Sequence, residues 1–221
     1  MNTALANPYC QRTRLTHERF VQVIVGFTLS DSAVVTAHRT GVSVRSVNQI
    51  WNRIRRRIAS HREELNPLKA RLLSPGERRV RGTRPQPGET YPRLVGVRRI
   101  GQQLICEWVP ADQSLEAFRV LYRQKPFDPI QHDWGYEGLI DLDTQRLMRL
   151  PISNNGIETD PTHPLSLEQF NQTLIAAGKR RLCGWPVRNF YLHLKEAEWR
   201  HAYLGRDMRP DLLALLRHCP L

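Results

Sequence analysis

The stretch Ala33-Val34-Val35-Thr36-Ala37-His38-Arg39-Thr40-Gly41-Val42-Ser43-Val44-Arg45-Ser46-Val47-Asn48-Gln49-Ile50-Trp51-Asn52-Arg53-Ile54-Arg55-Arg56-Arg57 holds a small residue, a glycine and an apolar stripe at telling intervals. Ala37 and Gly41 stand four apart, and Val47 and Ile50 follow. Two helices that touch closely need a small side chain at the contact. A tight turn between them favours glycine, which reaches positive φ without a Cβ penalty. The second helix needs apolar residues on its inner face. The four positions together predict a helix-turn-helix. Ser30 or Asp31 is placed to cap the first of the two helices, and Ser43 opens the second, which is expected to run to Ile58. Val44, Val47, Ile50, Trp51, Ile54 and Ile58 form its apolar stripe.

Outward from that stripe the reading places Ser43, Arg45, Ser46, Asn48 and Gln49, side chains able to reach base edges or phosphates. Arg53, Arg55, Arg56 and Arg57, with Arg62 beyond, are expected to lie along a nucleic-acid backbone and to make binding steeply salt-dependent. The plainer alternative is a three-helix packing unit with a solvated charged face. Upstream, Phe20, Val23, Ile24 and Phe27 recur at helical spacing and predict a helix over Leu15–Leu29.

The charge distribution points the same way. The 221-residue chain has a formal net charge of +12. Residues 1–100 hold 19 Lys and Arg against 6 Asp and Glu, whereas residues 101–221 hold 14 against 15. A basic half joined to a neutral half suggests a polyanion-binding region attached to something else. No run of 18 apolar residues and no signal-like stretch over Met1–Arg12 is found, so a cytoplasmic, nucleoid-associated location is expected. Cys10, Cys106, Cys183 and Cys219 are scattered without a CxxC pair, which argues against a zinc ribbon and for buried thiols.

Further along, residues 67–93 are rich in Pro, Gly and Arg and read as a basic segment. Leu94–Val97 and Gln103–Val109 read as strands around a turn at Ile100-Gly101. Ile130–Asp133 and Leu147–Ile152 read as further strands. Ser114–Gln124, Leu167–Leu182, Arg188–Tyr203 and Asp211–Arg217 read as helices. The expected organisation is an all-α helix-turn-helix domain (1–66), the basic segment (67–93) and an α+β or α/β domain (94–221).

Several motifs in that second half resemble one family. Lys179-Arg180-Arg181-Leu182 is followed by Gly184 and then by Phe190-Tyr191-Leu192-His193-Leu194-Lys195-Glu196-Ala197-Glu198-Trp199-Arg200. Together with Leu94-Val95-Gly96-Val97-Arg98-Arg99, Gly101, Val109-Pro110 and His132-Asp133 before Tyr136, this resembles bacterial insertion-sequence transposases with an ISXO-type domain. The resemblance spans roughly Leu15–Leu216. It implies an RNase-H-like mixed sheet with C-terminal helices, and a triad of two Asp and a third Glu or Asn. That triad holds Mg²⁺ for cleavage and joining of double-stranded DNA at element ends.

Carried over residue by residue, the second Asp of the triad falls on Asp133, a catalytic and metal-ligand candidate. The third position falls in His163–Phe170, where Glu168 is the catalytic candidate and Leu165 replaces the family's Asn. The first falls near Leu72 or Leu73, which cannot bind metal. Lys179 and Arg180 are candidates for DNA phosphate contact, or members of a solvated helix face. Phe190 and Trp199 read as core. With two of three ligand positions unmatched, the expectation is a transposase-like DNA-binding protein whose catalysis is weak or lost. The alternatives are a non-enzymatic regulator, a domesticated transposase remnant, or a subunit assisting an intact transposase. A homodimer or higher oligomer on DNA is left open.

Overall fold

In a computed structural model, the structure describes residues 7–10, 15–65, 94–101, 103–109, 117, 119–120, 122, 135–141, 146–150, 167–179 and 187–221. Three helices come first: α1 (His17–Thr28), α2 (Ala33–Thr40) and α3 (Val44–Glu64). Strands β1 (Leu94–Ile100), β2 (Gln103–Trp108), β3 (Gly138–Asp141) and β4 (Arg146–Arg149) follow, then α4 (Leu167–Lys179), α5 (Val187–Ala202) and α6 (Arg209–His218). The order is helices, an antiparallel sheet, then helices, a mixed α+β architecture. No helix among the described residues is long and apolar enough to cross a membrane.

Two compact units emerge, one of Met1–His61 with Gly205–Leu221, the other of Arg62–Leu204. The sequence places residues 205–221 in the second domain, but they pack in the first unit. The Leu221 amide donates to the Tyr9 carbonyl at 2.8 Å, and an Arg57 Nη donates to the Pro220 carbonyl at 2.6 Å. Such contacts between distant positions leave no periodic trace in a sequence.

In the first unit each helix start has a local cause. The Thr16 hydroxyl accepts from the Arg19 amide, and Ser32 accepts from the Val35 amide at 3.2 Å. Each satisfies an amide that has no partner within the helix. The cap of α2 is therefore Ser32, one or two residues beyond the expected Ser30 or Asp31; Asp31 instead pairs with Arg39 at 2.8 Å. Phe20, Val23, Ile24 and Phe27 of α1 are buried, as are Val47, Ile50, Trp51, Ile54 and Ile58 of α3 and Leu212 and Leu216 of α6. The Trp51 indole N–H donates to the Val23 carbonyl at 3.1 Å, while its ring meets Phe27 edge-on. The helix α3 runs about two turns past Ile58, through Ala59 to Glu64, because nothing in that stretch breaks it.

The second unit holds a sheet in the order β2-β1-β3-β4. Every pairing among the described strands is antiparallel, so they do not form the expected mixed sheet. β1 and β2 form a hairpin at Gly101, whose φ is +60°. Strand alternation sends neighbouring side chains to opposite faces. Val95, Val97, Cys106 and Ile140 join Leu167, Phe170, Phe190, Leu194 and Ala197 in one cluster. Leu94, Leu139, Val109, Ala117, Tyr136 and Leu150 form a second. Phe190 and Trp199 are buried as expected. β3 is a strand that the sequence reading did not place; the strand expected at Ile130–Asp133 lies outside the described residues. A four-residue strand that starts at Gly and ends at Asp carries almost no pattern of its own.

Candidate nucleic-acid interface

α2 and α3 are joined by a turn at Gly41, as the spacing implies. Ala37 and Val47 are buried, and Gly41 adopts φ +66°, the left-handed conformation that ends α2. The Thr40 hydroxyl donates to the Thr36 carbonyl at 2.7 Å and accepts from the Val42 amide at 3.4 Å, which fixes the path of the turn. Val42 is buried. Gly26 allows α1 and α2 to approach: a Cβ there would lie 2.2 Å from the Thr36 Oγ1.

Ser43, just before α3, and Arg45, Asn48, Gln49, Arg53, Arg56 and Arg57 on it are exposed. Arg45 and Gln49 lie one turn apart, and so do Val44 and Asn48, which makes each pair neighbours on the helix surface. Ser43 and Ser46 serve the helix itself. The Ser43 hydroxyl accepts from the Ser46 amide at 3.1 Å and donates to the Ser46 hydroxyl at 2.9 Å. Ser46 is half-buried, and its amide is the one that the Ser43 hydroxyl caps. Arg53 leans toward the Cys10 sulfur at 3.7 Å.

Two of the expected backbone-contacting arginines are not at the surface. Arg55 is 3% exposed. It donates to the Asn52 side-chain oxygen at 3.0 Å and lies over the Phe27 ring, 5.5 Å from its centre. Arg62, also 3% exposed, belongs to an ion-pair network in the second unit. A run of arginines on one helix cannot all share a face, because each residue advances the helix by about 100°. At Arg55 and Arg62 that rotation brings the side chain inward. In the opposite sense, Val44 belongs to the apolar stripe by spacing, yet is 40% exposed. Val42, in the turn, is buried instead, along with Val47.

Of the two expected catalytic residues, Glu168 alone lies among the described residues. Glu168 is exposed in the first turn of α4, where its Oε1 accepts from the Gln172 side chain at 2.9 Å. Asp133, the metal-ligand candidate, and Arg180 lie outside the described residues. Lys179 is the last residue of α4. No group of three His, Cys, Asp or Glu able to hold a metal ion occurs among the described residues. Buried Asp141, at the end of β3, accepts from the Tyr122 hydroxyl. No residue set among the described residues fits a pair of Mg²⁺ ions.

No family model matches the chain, and no curated protein or solved structure shows significant similarity to it.

Proposed function

We propose that this chain is a sequence-specific double-stranded DNA-binding protein of transposase-like descent, with the helix-turn-helix as its reader. The observation that carries the reading is the arrangement of α2, Gly41 and α3. It leaves Arg45, Asn48 and Gln49 exposed on the first two turns of α3, with Arg53, Arg56 and Arg57 exposed further along. The first group offers donors and acceptors of the kind that read base edges in a major groove, and the second offers charge for phosphates. The charge excess confined to residues 1–100 supports the same assignment.

The transposase part of the proposal, with its RNase-H-like fold, rests on the motifs of the second half. Strand cleavage and transfer would require Asp133 and partners to bind Mg²⁺. Glu168 is not part of any such group among the described residues. Recognition of element ends with weak or lost catalysis is therefore the form we favour over an active transposase, and a purely regulatory DNA-binding role is the alternative.

Selection of the full chain against a pool of random duplexes at low salt tests the main claim. Enrichment of one sequence, with affinity falling steeply as salt rises, is the expected result. Failure to retain any duplex overturns it. Incubating the enriched duplex with Mg²⁺ or Mn²⁺ tests the enzymatic alternative: nicking that disappears in Asp133→Ala would establish an active enzyme.

A further inference from the structure

We propose that Val44 reads a thymine, its side chain resting against the C5-methyl group in the major groove. The inference rests on the DNA-binding reading above and adds a specific chemical preference to it. Isolated apolar residues on a surface are ordinary. Val44 is distinguished by its company. It is 40% exposed in the first turn of α3, flanked by exposed Ser43 and Arg45 and one turn from exposed Asn48. All its exposed neighbours on this part of the helix are polar or cationic, so a second protein's apolar surface is a poor match for the patch.

The major-groove edge of an A·T pair does match it. That edge presents a hydrogen-bonding adenine beside the one apolar group in the groove, the thymine methyl. Asn is the side chain that pairs bidentately with adenine, and a small apolar side chain is the complement of the methyl. Side chains four apart on a helix lie about 5–6 Å from each other. Successive bases on a strand rise by about 3.4 Å. Val44 and Asn48 can therefore address adjacent or shared A·T pairs.

The test replaces each thymine of the enriched duplex, one at a time, by deoxyuridine, which lacks only the methyl group. For the unmodified full chain, one position is expected to lose about fourfold in affinity, as for one buried methyl group. In Val44→Ala that loss should vanish at the same position, while Val44→Ile should retain it. Because Val44 is exposed, Val44→Ala should leave the melting temperature and far-ultraviolet circular dichroism unchanged, so a folding defect is separable. Equal affinity at every deoxyuridine position, or an identical loss in Val44→Ala, overturns the thymine assignment while DNA binding stands. Absence of binding to any duplex at low salt removes the DNA-binding reading and the thymine assignment with it.

Discussion

Arg62 Nε lies 2.5 Å from Glu198 Oε1, with both side chains buried in the second unit. Glu198 Oε2 accepts from the Lys195 ammonium and from the Cys106 amide, each at 2.9 Å. Arg62 also donates to the Gln103 side chain at 2.8 Å and to the Leu104 carbonyl at 3.3 Å, and Lys195 donates to the Cys106 carbonyl. One carboxylate thus compensates two cations, while the Gln103 side chain and the Leu104 and Cys106 carbonyls of β2 accept from them as well. Such a network is costly to desolvate and costly to break. Glu198→Gln keeps the shape and leaves two buried cations without their anion. It should lower unfolding free energy by about 3–5 kcal/mol in a denaturant titration. A loss under about 0.5 kcal/mol, the range of ordinary surface changes, would contradict the network's role.

Arg55 and Arg56 are adjacent in sequence and opposite in exposure. Arg55→Ala removes the contact with Phe27 and the bond to Asn52. It should cost about 1–3 kcal/mol of stability. Arg56→Ala should leave stability within about 0.5 kcal/mol. It should also weaken binding to all duplexes alike and reduce the salt slope by about one unit. Thermal melts paired with anisotropy titrations at several salt concentrations separate the two. An unchanged salt slope in Arg56→Ala would remove that residue from the interface.

For base recognition, Arg45→Ala and Asn48→Ala should relax sequence preference by about 1–3 kcal/mol while retaining non-specific binding. Competition between the enriched duplex and a scrambled one measures this ratio. A ratio that is unchanged in both variants would place base reading elsewhere.

Two glycines of the first unit, Gly26 in α1 and Gly41 between α2 and α3, make distinct predictions. Gly26→Ala drives a Cβ against the buried side chain of Thr36, with atoms 2.2 and 2.8 Å away. Overpacking of this kind costs about 1–3 kcal/mol. Gly41→Ala meets no atom within 4 Å, but its φ of +66° disfavours an L side chain. That conformation costs about 1–2 kcal/mol. Gly41→Asn should recover much of it, since Asn tolerates this region. A melt in which Gly41→Asn is no better than Gly41→Ala would mean that φ is not what glycine supplies there.

Burial, followed by the proximity of Glu198, pushes the Cys106 thiol well above the ordinary cysteine range. The thiolate is the reactive form, so Cys106 should resist iodoacetamide at pH 8 in the folded protein. It should become modified on unfolding, as followed by site-resolved mass spectrometry. Labelling of native Cys106 as fast as in the unfolded chain would contradict its burial.

The helices α2 and α3 and the turn between them were legible because their determinants are local. A capping hydroxyl, a glycine at positive φ and an apolar stripe of helical period lie within 26 residues, from Ser32 to Arg57. The β1–β2 hairpin was legible for the same reason, through Gly101 and its flanking strands. Pattern alone could not sort the arginines. Charge and helical spacing are the same whether Arg55 meets solvent or the Phe27 ring, and whether Arg62 meets a phosphate or Glu198, 136 positions away. The assignment of residues 205–221 to the first unit and the sheet order β2-β1-β3-β4 also depend on partners distant in sequence. Local conformational preference and periodicity therefore determined the helices and the turn that α3 follows. Tertiary burial decided which of its cations, and which of its valines, are left exposed, because exposure belongs to the packed chain and not to the residue.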